Sequence, residues 1–216
     1  MGIGHVAVGL GLKSAGRRVN AGLLLFAAFL ADFLLGWFVL AGWESCEYPP
    51  DYASRHYMLF TFPWSHGLFP ELAWGAGMGL LIWAVRRESR AAWLAAVAVV
   101  SHFLLDGLVH VKALPIAGSW ELGLGLWRTL PAELAIEAVM TVAALVLYWR
   151  ATVDHRQGRR IGMVVYVILL SAMSIGGQAT ATAPVARSTL VANWIAAPVV
   201  FSAIAWWLDR QPRLRR

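Results

Sequence analysis

Arg90-Ala-Ala-Trp93-Leu-Ala-Ala-Val-Ala-Val-Val-Ser101-His102-Phe-Leu-Leu-Asp106-Gly-Leu-Val-His110-Val111 is the stretch that decides the fold. From Trp93 to Val111 it is apolar enough and long enough to cross a bilayer, which takes ~20 mainly apolar residues. His102 and Asp106 stand at i and i+4 inside it, so both project from one helix face. His110 lies a further turn along, on nearly the same stripe. An ionisable residue at such depth is expensive and is a functional hypothesis by default.

The rest of the chain has the same character. Its 216 residues are 59% hydrophobic and 14% charged, and mean hydropathy is +0.62. Soluble domains carry about 25% charged residues, so this is the composition of a polytopic membrane protein. The 12 Trp residues agree, because Trp gathers at membrane interfaces. With one cysteine, Cys46, neither an intramolecular disulfide nor a Cys-based zinc site can form. The net charge of +6 would suit nucleic acid, but the basic residues occur in short clusters between apolar runs rather than as one stripe. No nucleic-acid partner is expected. Nor is a cleavable signal peptide: no basic region precedes Ile3–Leu12 and no small-residue cleavage site follows it.

Six runs are long enough to span: 21–42, 66–85, 92–111, 131–149, 161–177 and 190–208. The segments Lys13–Arg18, Arg86–Arg90, Arg150–Arg160 and Asp209–Arg216 carry 3, 3, 4 and 4 basic residues, 14 of the 18. Arg55, Lys112, Arg128 and Arg187 are the remainder. An alternating six-span path with both termini cytoplasmic puts every basic cluster inside. The opposite face then consists of Trp43–Ser65, Lys112–Leu130 and Gly176–Thr189, with a short interfacial helix expected near Tyr52–Phe60. No repeat or linker is visible, so residues 1–216 read as one integral membrane domain, all-α.

Met1–Leu12 is apolar but too short to cross. The simplest geometry is a half-helix that enters from the cytoplasmic surface with its N-terminus deep in the bundle, since irregular elements survive at membrane depth only inside protein or beside a cavity. At 1.5 Å per residue His5 lies roughly 12 Å above Lys13, near the midplane. By the same measure Asp32 and His102 each lie about 18 Å from the inner surface, and Asp106 about 6 Å higher. His66 opens the second span from the outer side. Glu133 and Glu137, again i and i+4, lie in the outer half of the fourth. This shared depth makes a set of ligand-type residues, and imidazole with carboxylate suits a divalent cation such as zinc, manganese or iron.

Each residue alone has a plainer reading. His102 with Asp106 can be a packing hydrogen bond, Asp32 a local partner, His5 a surface residue, and His66 a helix-start residue with Ser65 as its cap. Glu133, just after Pro131, reads as a start residue that the helix dipole favours; Glu137 is deeper. His56, His110 and His155 read as interfacial or loop histidines, and most Trp residues as belt and packing.

The sequence resembles the bacterial membrane-bound metal-dependent hydrolase family, often called YdjM-like. The likeness rests on Gly4-His5-Val-Ala-Val-Gly9, Ala31-Asp32, Ser65-His66 and Ser101-His102-Phe-Leu-Leu-Asp106. A closer likeness is to a branch of bacterial integral membrane proteins in which a Pro-Tyr/Trp-Ser-His motif, here Pro63-Trp64-Ser65-His66, precedes the Ser-His-x-x-x-Asp helix. A Leu-Pro stretch (Leu114-Pro115) and a Gly-Leu-Trp segment (Gly125-Leu126-Trp127) follow it. The likeness runs from His5 to about Trp149 and implies metal ligands at His5, Asp32, His66, His102 and Asp106. The chain departs from the family at Ala31-Asp32-Phe33-Leu34, where Pro-Asp-x-Asp is usual, and Arg55-His56 only echoes the usual His-Arg.

The expectation is therefore a six-span protein of the bacterial inner membrane with a polar pocket open to the periplasm. It would be a metal-dependent hydrolase acting on a membrane lipid, a phosphorylated one by chemistry. His5, Asp32, His102 and Asp106 would bind the metal, and His66 would be a ligand or the catalytic proton-transfer group. The alternatives are a proton- or ion-coupled transporter and a non-catalytic scaffold with a structural polar cluster.

Overall fold

Apolar runs this long have one stable solution in lipid, the helix, because it satisfies every backbone N–H and C=O within its own segment. The computed structural model describes residues 2–55, 57–180 and 183–210, the side chains of Arg55 and Ala179 excepted. His56 and the tail 211–216 lie outside the described residues. Five helices have the length and composition to span: α5 (Leu68–Arg86), α6 (Ser89–Val109), α7 (Leu130–Ala151), α8 (Gln157–Thr180) and α9 (Arg187–Leu208). The half-helix is α1 (Gly2–Leu12), followed by α2 (Ala21–Ala28) and α3 (Leu30–Leu40). The protein is an all-α, multi-pass membrane protein.

The run 21–42 is not one straight span. It breaks at Phe29 into α2 and α3, which meet at 47°. Neither Pro nor Gly stands at the break. A side-chain donor interrupts the ladder instead, because the Ala28 carbonyl accepts from His102 Nδ1 at 2.8 Å.

α6 is the central helix: 61% of its spanning window is buried, against 17–22% for α5, α7, α8 and α9. α5 packs along one side of it, while α1 and α2 lie on the other and lean on α7 and α9. Ile3, Val6 and Leu10 of α1 join Leu25, Tyr148, Met163 and Val167 in one apolar cluster; Leu24, Ile82, Ala95 and Val99 form a second. Close approach depends on small residues, as is usual between membrane helices. A Cβ at Gly22 would stand 2.4 Å from the Ser202 carbonyl oxygen, so only glycine lets α2 touch α9 there. Outward-facing Leu80, Leu81, Val139 and Met173 are exposed. On a soluble protein such a surface would be a liability; here it faces lipid.

The four basic segments share one end of the bundle. Lys13 Nζ pairs with Asp209 Oδ2 at 2.8 Å, Arg90 Nε donates to the Ala15 carbonyl, and Arg159 donates to the Arg210 carbonyl at 2.6 Å. Lys13 and Asp209 are fully buried, and Tyr148 Oη (3.1 Å) and Ala21 N (2.7 Å) also donate to Asp209. His155, expected as an interfacial or loop histidine, lies between α7 and α8 and is buried against the same carboxylate at 3.3 Å.

The opposite end is built differently from the expected interfacial helix over Tyr52–Phe60. Helix α4 is one turn, Tyr52–Arg55, and the chain then extends into β2 (Leu59–Thr61), antiparallel to β1 (Ser45–Glu47) with Cys46 opposite Phe60. The alternation explains it: Phe60 packs inward between Leu59 and Thr61, which are exposed. A second hairpin, β3 (Leu114–Ala117) with β4 (Trp120–Leu122), turns at Gly118, where φ is +58°. The first hairpin contributes Phe60 to the cavity over the site.

Candidate metal centre

One stripe of α6 supplies the base of the site. His102, Asp106 and His110 follow one another at four-residue spacing, and all three are buried. Asp106 Oδ2 lies 3.4 Å from His102 Nε2 and 3.1 Å from His110 Nε2. The half-helix α1 brings His5 to the other carboxylate oxygen, Nε2 to Oδ1 at 3.2 Å, with its ring stacked on His102 at 3.8 Å. The Phe29 break turns Asp32 of α3 inward, 3.7 Å from His66 Nε2 and 3.9 Å from His102 Nε2. Asp32 keeps 26% of its side chain exposed, so it stands on the open side. His66, just ahead of α5, reaches His102 Nε2 at 3.2 Å and Asp106 Oδ2 at 3.7 Å. Every expected ligand, His5, Asp32, His66, His102 and Asp106, arrives at this one place.

Hydrogen-bond partners assign two of the tautomers. The Ala28 carbonyl can only accept, so His102 Nδ1 carries a hydrogen, and in the neutral ring Nε2 then presents a lone pair. Glu44 Oε1 accepts the N–H groups of Trp64 and Ser65 at 2.8 Å each, and Oε2 accepts from Ser65 Oγ at 2.7 Å. With its one proton given to Glu44, Ser65 Oγ accepts from His66 Nδ1 at 2.7 Å. In the neutral ring His66 Nε2 is then a lone pair as well. Two imidazole lone pairs face each other across 3.2 Å with two carboxylates beside them. Such an arrangement repels unless a positive species sits among the four.

The spacing fits a metal ion. Donors about 2.0–2.2 Å from a tetrahedral zinc stand about 3.4 Å from one another. His66–His102, His102–Asp106 and His66–Asp106 measure 3.2, 3.4 and 3.7 Å. His5, Asp32 and His102 form a second such group, and within each group all ligand atoms lie within 4.8 Å. A divalent charge would also balance the two carboxylates, which is how buried charge becomes tolerable.

His110 was expected as an interfacial or loop histidine. It is buried, tilted against Trp127 with ring centroids 3.9 Å apart and hydrogen-bonded to Asp106. The i+4 step from Asp106 is the signal for it. Glu133, expected as a start residue, is in the first turn of α7 but fully buried, as is Glu137, whose Oε1 accepts the Gly4 N–H at 3.4 Å. Glu71 of α5 is buried with neither carboxylate oxygen hydrogen-bonded to described residues, and Glu133 and Glu137 each leave one oxygen so. Sequence reading missed Glu71 and Glu44; no local pattern marks either.

The centre floors a cavity of 420 Å³ whose walls are apolar and aromatic, from Phe29, Leu35 and Phe60 to Trp194 and Phe201. Polar floor and apolar wall together suit an amphiphile. No family model, curated protein or solved structure matches the chain.

Proposed function

We propose that the protein is a metal-dependent hydrolase of the bacterial inner membrane that acts on a phosphorylated membrane lipid. The observation that carries this reading is the pair of imidazole nitrogens, His66 Nε2 and His102 Nε2, held 3.2 Å apart beside Asp32 and Asp106. Asp32, His66, His102 and Asp106 would hold the ion, with His5 completing the set beside Asp106. A bound divalent cation supplies positive charge that polarises a phosphoryl oxygen and acidifies water. The chain's own part is positioning. His110 and His5 hold the two oxygens of Asp106, and the Glu44–Ser65 pair holds His66 in the tautomer whose Nε2 can ligate or accept a proton. The basic end would be cytoplasmic, which opens the cavity on the periplasmic half.

A proton among the same four side chains is the second reading and would make the protein a proton-coupled transporter. The buried carboxylates of Glu71, Glu133 and Glu137 favour it, because carboxylate oxygens left without a hydrogen bond at this depth are tolerable when protonated. Metal content separates the two. Wild-type protein, purified without chelator, should carry stoichiometric zinc, manganese or iron. The double variant His102→Leu, Asp106→Leu should carry none yet still insert and fold, since apolar residues can replace a buried polar pair. A metal-free wild type ends the hydrolase reading.

A further inference from the structure

We infer that the site takes its substrate from the side, through a slot between α8 and α9 that holds a lipid with its phosphorylated head on the His/Asp centre and its chain in the bilayer. This rests on the hydrolase reading for the fate of the head, but the slot itself stands on separate observations. At the basic end the two helices are pinned. Arg159 donates to the Arg210 carbonyl, Gly162 lies against Leu208, and Tyr166 Oη donates to the Phe201 carbonyl at 3.0 Å. Beyond Tyr166 no hydrogen bond joins α8 to α9 among the described residues. A Cβ built on Gly176 or Gly177 would meet nothing within 4 Å, so α8 is open at those two positions. The helices therefore form a crevice beyond Tyr166, with Leu170 and Met173 of α8 on one side of the cavity and Trp194 and Ala197 of α9 on the other.

The crevice leads to the centre. Met173 of α8 lines the 420 Å³ cavity and is also 67% exposed on the outer face, so the cavity mouth opens there, on the lipid side. Asn193 of α9 lines the same cavity, is exposed, and forms no hydrogen bond with described residues. It lies six residues into α9, about 9 Å from Arg187, where a bare amide facing lipid is costly. Facing a lipid head passing through the mouth, it has a partner. Pro198 adds another polar group, because it cannot donate to the Trp194 carbonyl one turn back. A second cavity, of 350 Å³, shares Ser174 and Trp194 with the first and continues past Gln178 towards the hairpin end. The slot thus runs from the hairpin end to the His/Asp floor, with the exposed Met173 at its opening to lipid. That shape suits a molecule whose head must travel inward while its chain stays outside.

Phosphatidic acid bearing a diazirine in its acyl chain, in phosphatidylcholine vesicles, tests this directly. On irradiation the cross-links should concentrate on the peptides holding Met173 and Ala197. Ala197→Trp, which fills the slot, should lower that labelling about tenfold, a difference of ~1.4 kcal/mol in binding, while Leu80→Trp on the far lipid face should not. If Ala197→Trp fails to accumulate, Met173→Trp at the exposed mouth carries the same test. Labelling spread evenly over the outer faces of α5 and α7, or unmoved by either slot variant, overturns the proposal. Metal content reads the centre independently. Slot labelling of a metal-free protein upholds the slot and ends hydrolysis; a loaded centre with even labelling upholds the centre and ends the slot.

Discussion

His66 reaches the centre with its tautomer already chosen, and the choice is made two side chains away. Glu44 accepts three hydrogen bonds, one of them from Ser65 Oγ, which in turn accepts from His66. Partners of this kind commonly carry 10–100-fold in metal affinity. Ser65→Ala and Glu44→Gln should each therefore weaken zinc binding by about that factor, measured by competition with a chromogenic chelator. Affinities equal to wild type in both variants would mean that His66 is not a ligand. The residues at the centre were legible because spacing and depth are properties of the chain itself: the i, i+4 step in α6, and equal distances from the basic clusters. His110 sits on the same stripe and was readable by the same step, but its place at the end of the apolar run argued for the interface. Glu44 was not legible, because nothing near Trp43-Glu44-Ser45 tells that a return of the chain through β2 will set Ser65 on top of it. Glu71 stands in the first turn of α5, where an acidic residue is ordinary, and only the packing of α5 on α6 buries it.

The five straight spans followed from length and composition, and their bounds fell within a few residues of the expected ones. The kink between α2 and α3 did not, because its cause is on another helix: His102 takes the carbonyl that a continuous ladder would use. The hairpins were missed for a related reason. A three-residue strand has too few alternations to outweigh the aromatic, interfacial look of Tyr52–Phe60. At the basic end, the ends of α1, α2, α7 and α9 are tied by one buried carboxylate. Asp209 receives Lys13, Ala21 N and Tyr148 Oη, and of these Lys13 is the cation, so removing it leaves a buried carboxylate uncompensated. Lys13→Met should cost about 3–5 kcal/mol, the usual penalty for breaking a buried pair. Adding Asp209→Asn to that variant should return a large part of the loss, since the amide oxygen still accepts from Ala21 or Tyr148 and the charge is gone. Unfolding in mixed micelles measures both. A double variant no more stable than Lys13→Met would show that the carboxylate is not what the lysine compensates.

Orientation is a property of the whole molecule, and here contacts and charge bear on different halves of it. The contacts put Lys13, Arg90, Arg159 and Arg210 at one end whichever way the protein faces. Short loops rich in Lys and Arg stay cytoplasmic, and it is the asymmetry between the two sides that sets direction. With 14 of 18 basic residues in four segments of one side, the asymmetry is strong and all four vote alike. Reporter fusions after Glu88 and after Arg156 should therefore read cytoplasmic, and fusions within 113–128 periplasmic. The outcome bears on the site, because the His/Asp cavity and its slot open towards the hairpin end. In the expected orientation they draw on the outer leaflet of the membrane. A consistent reversal, with Glu88 and Arg156 periplasmic, would keep the geometry and move the substrate pool to the inner leaflet. A mixed result, with Glu88 on one side and Arg156 on the other, is incompatible with the bonds that join their segments through Lys13 and Asp209, and would refute the arrangement of the helices itself.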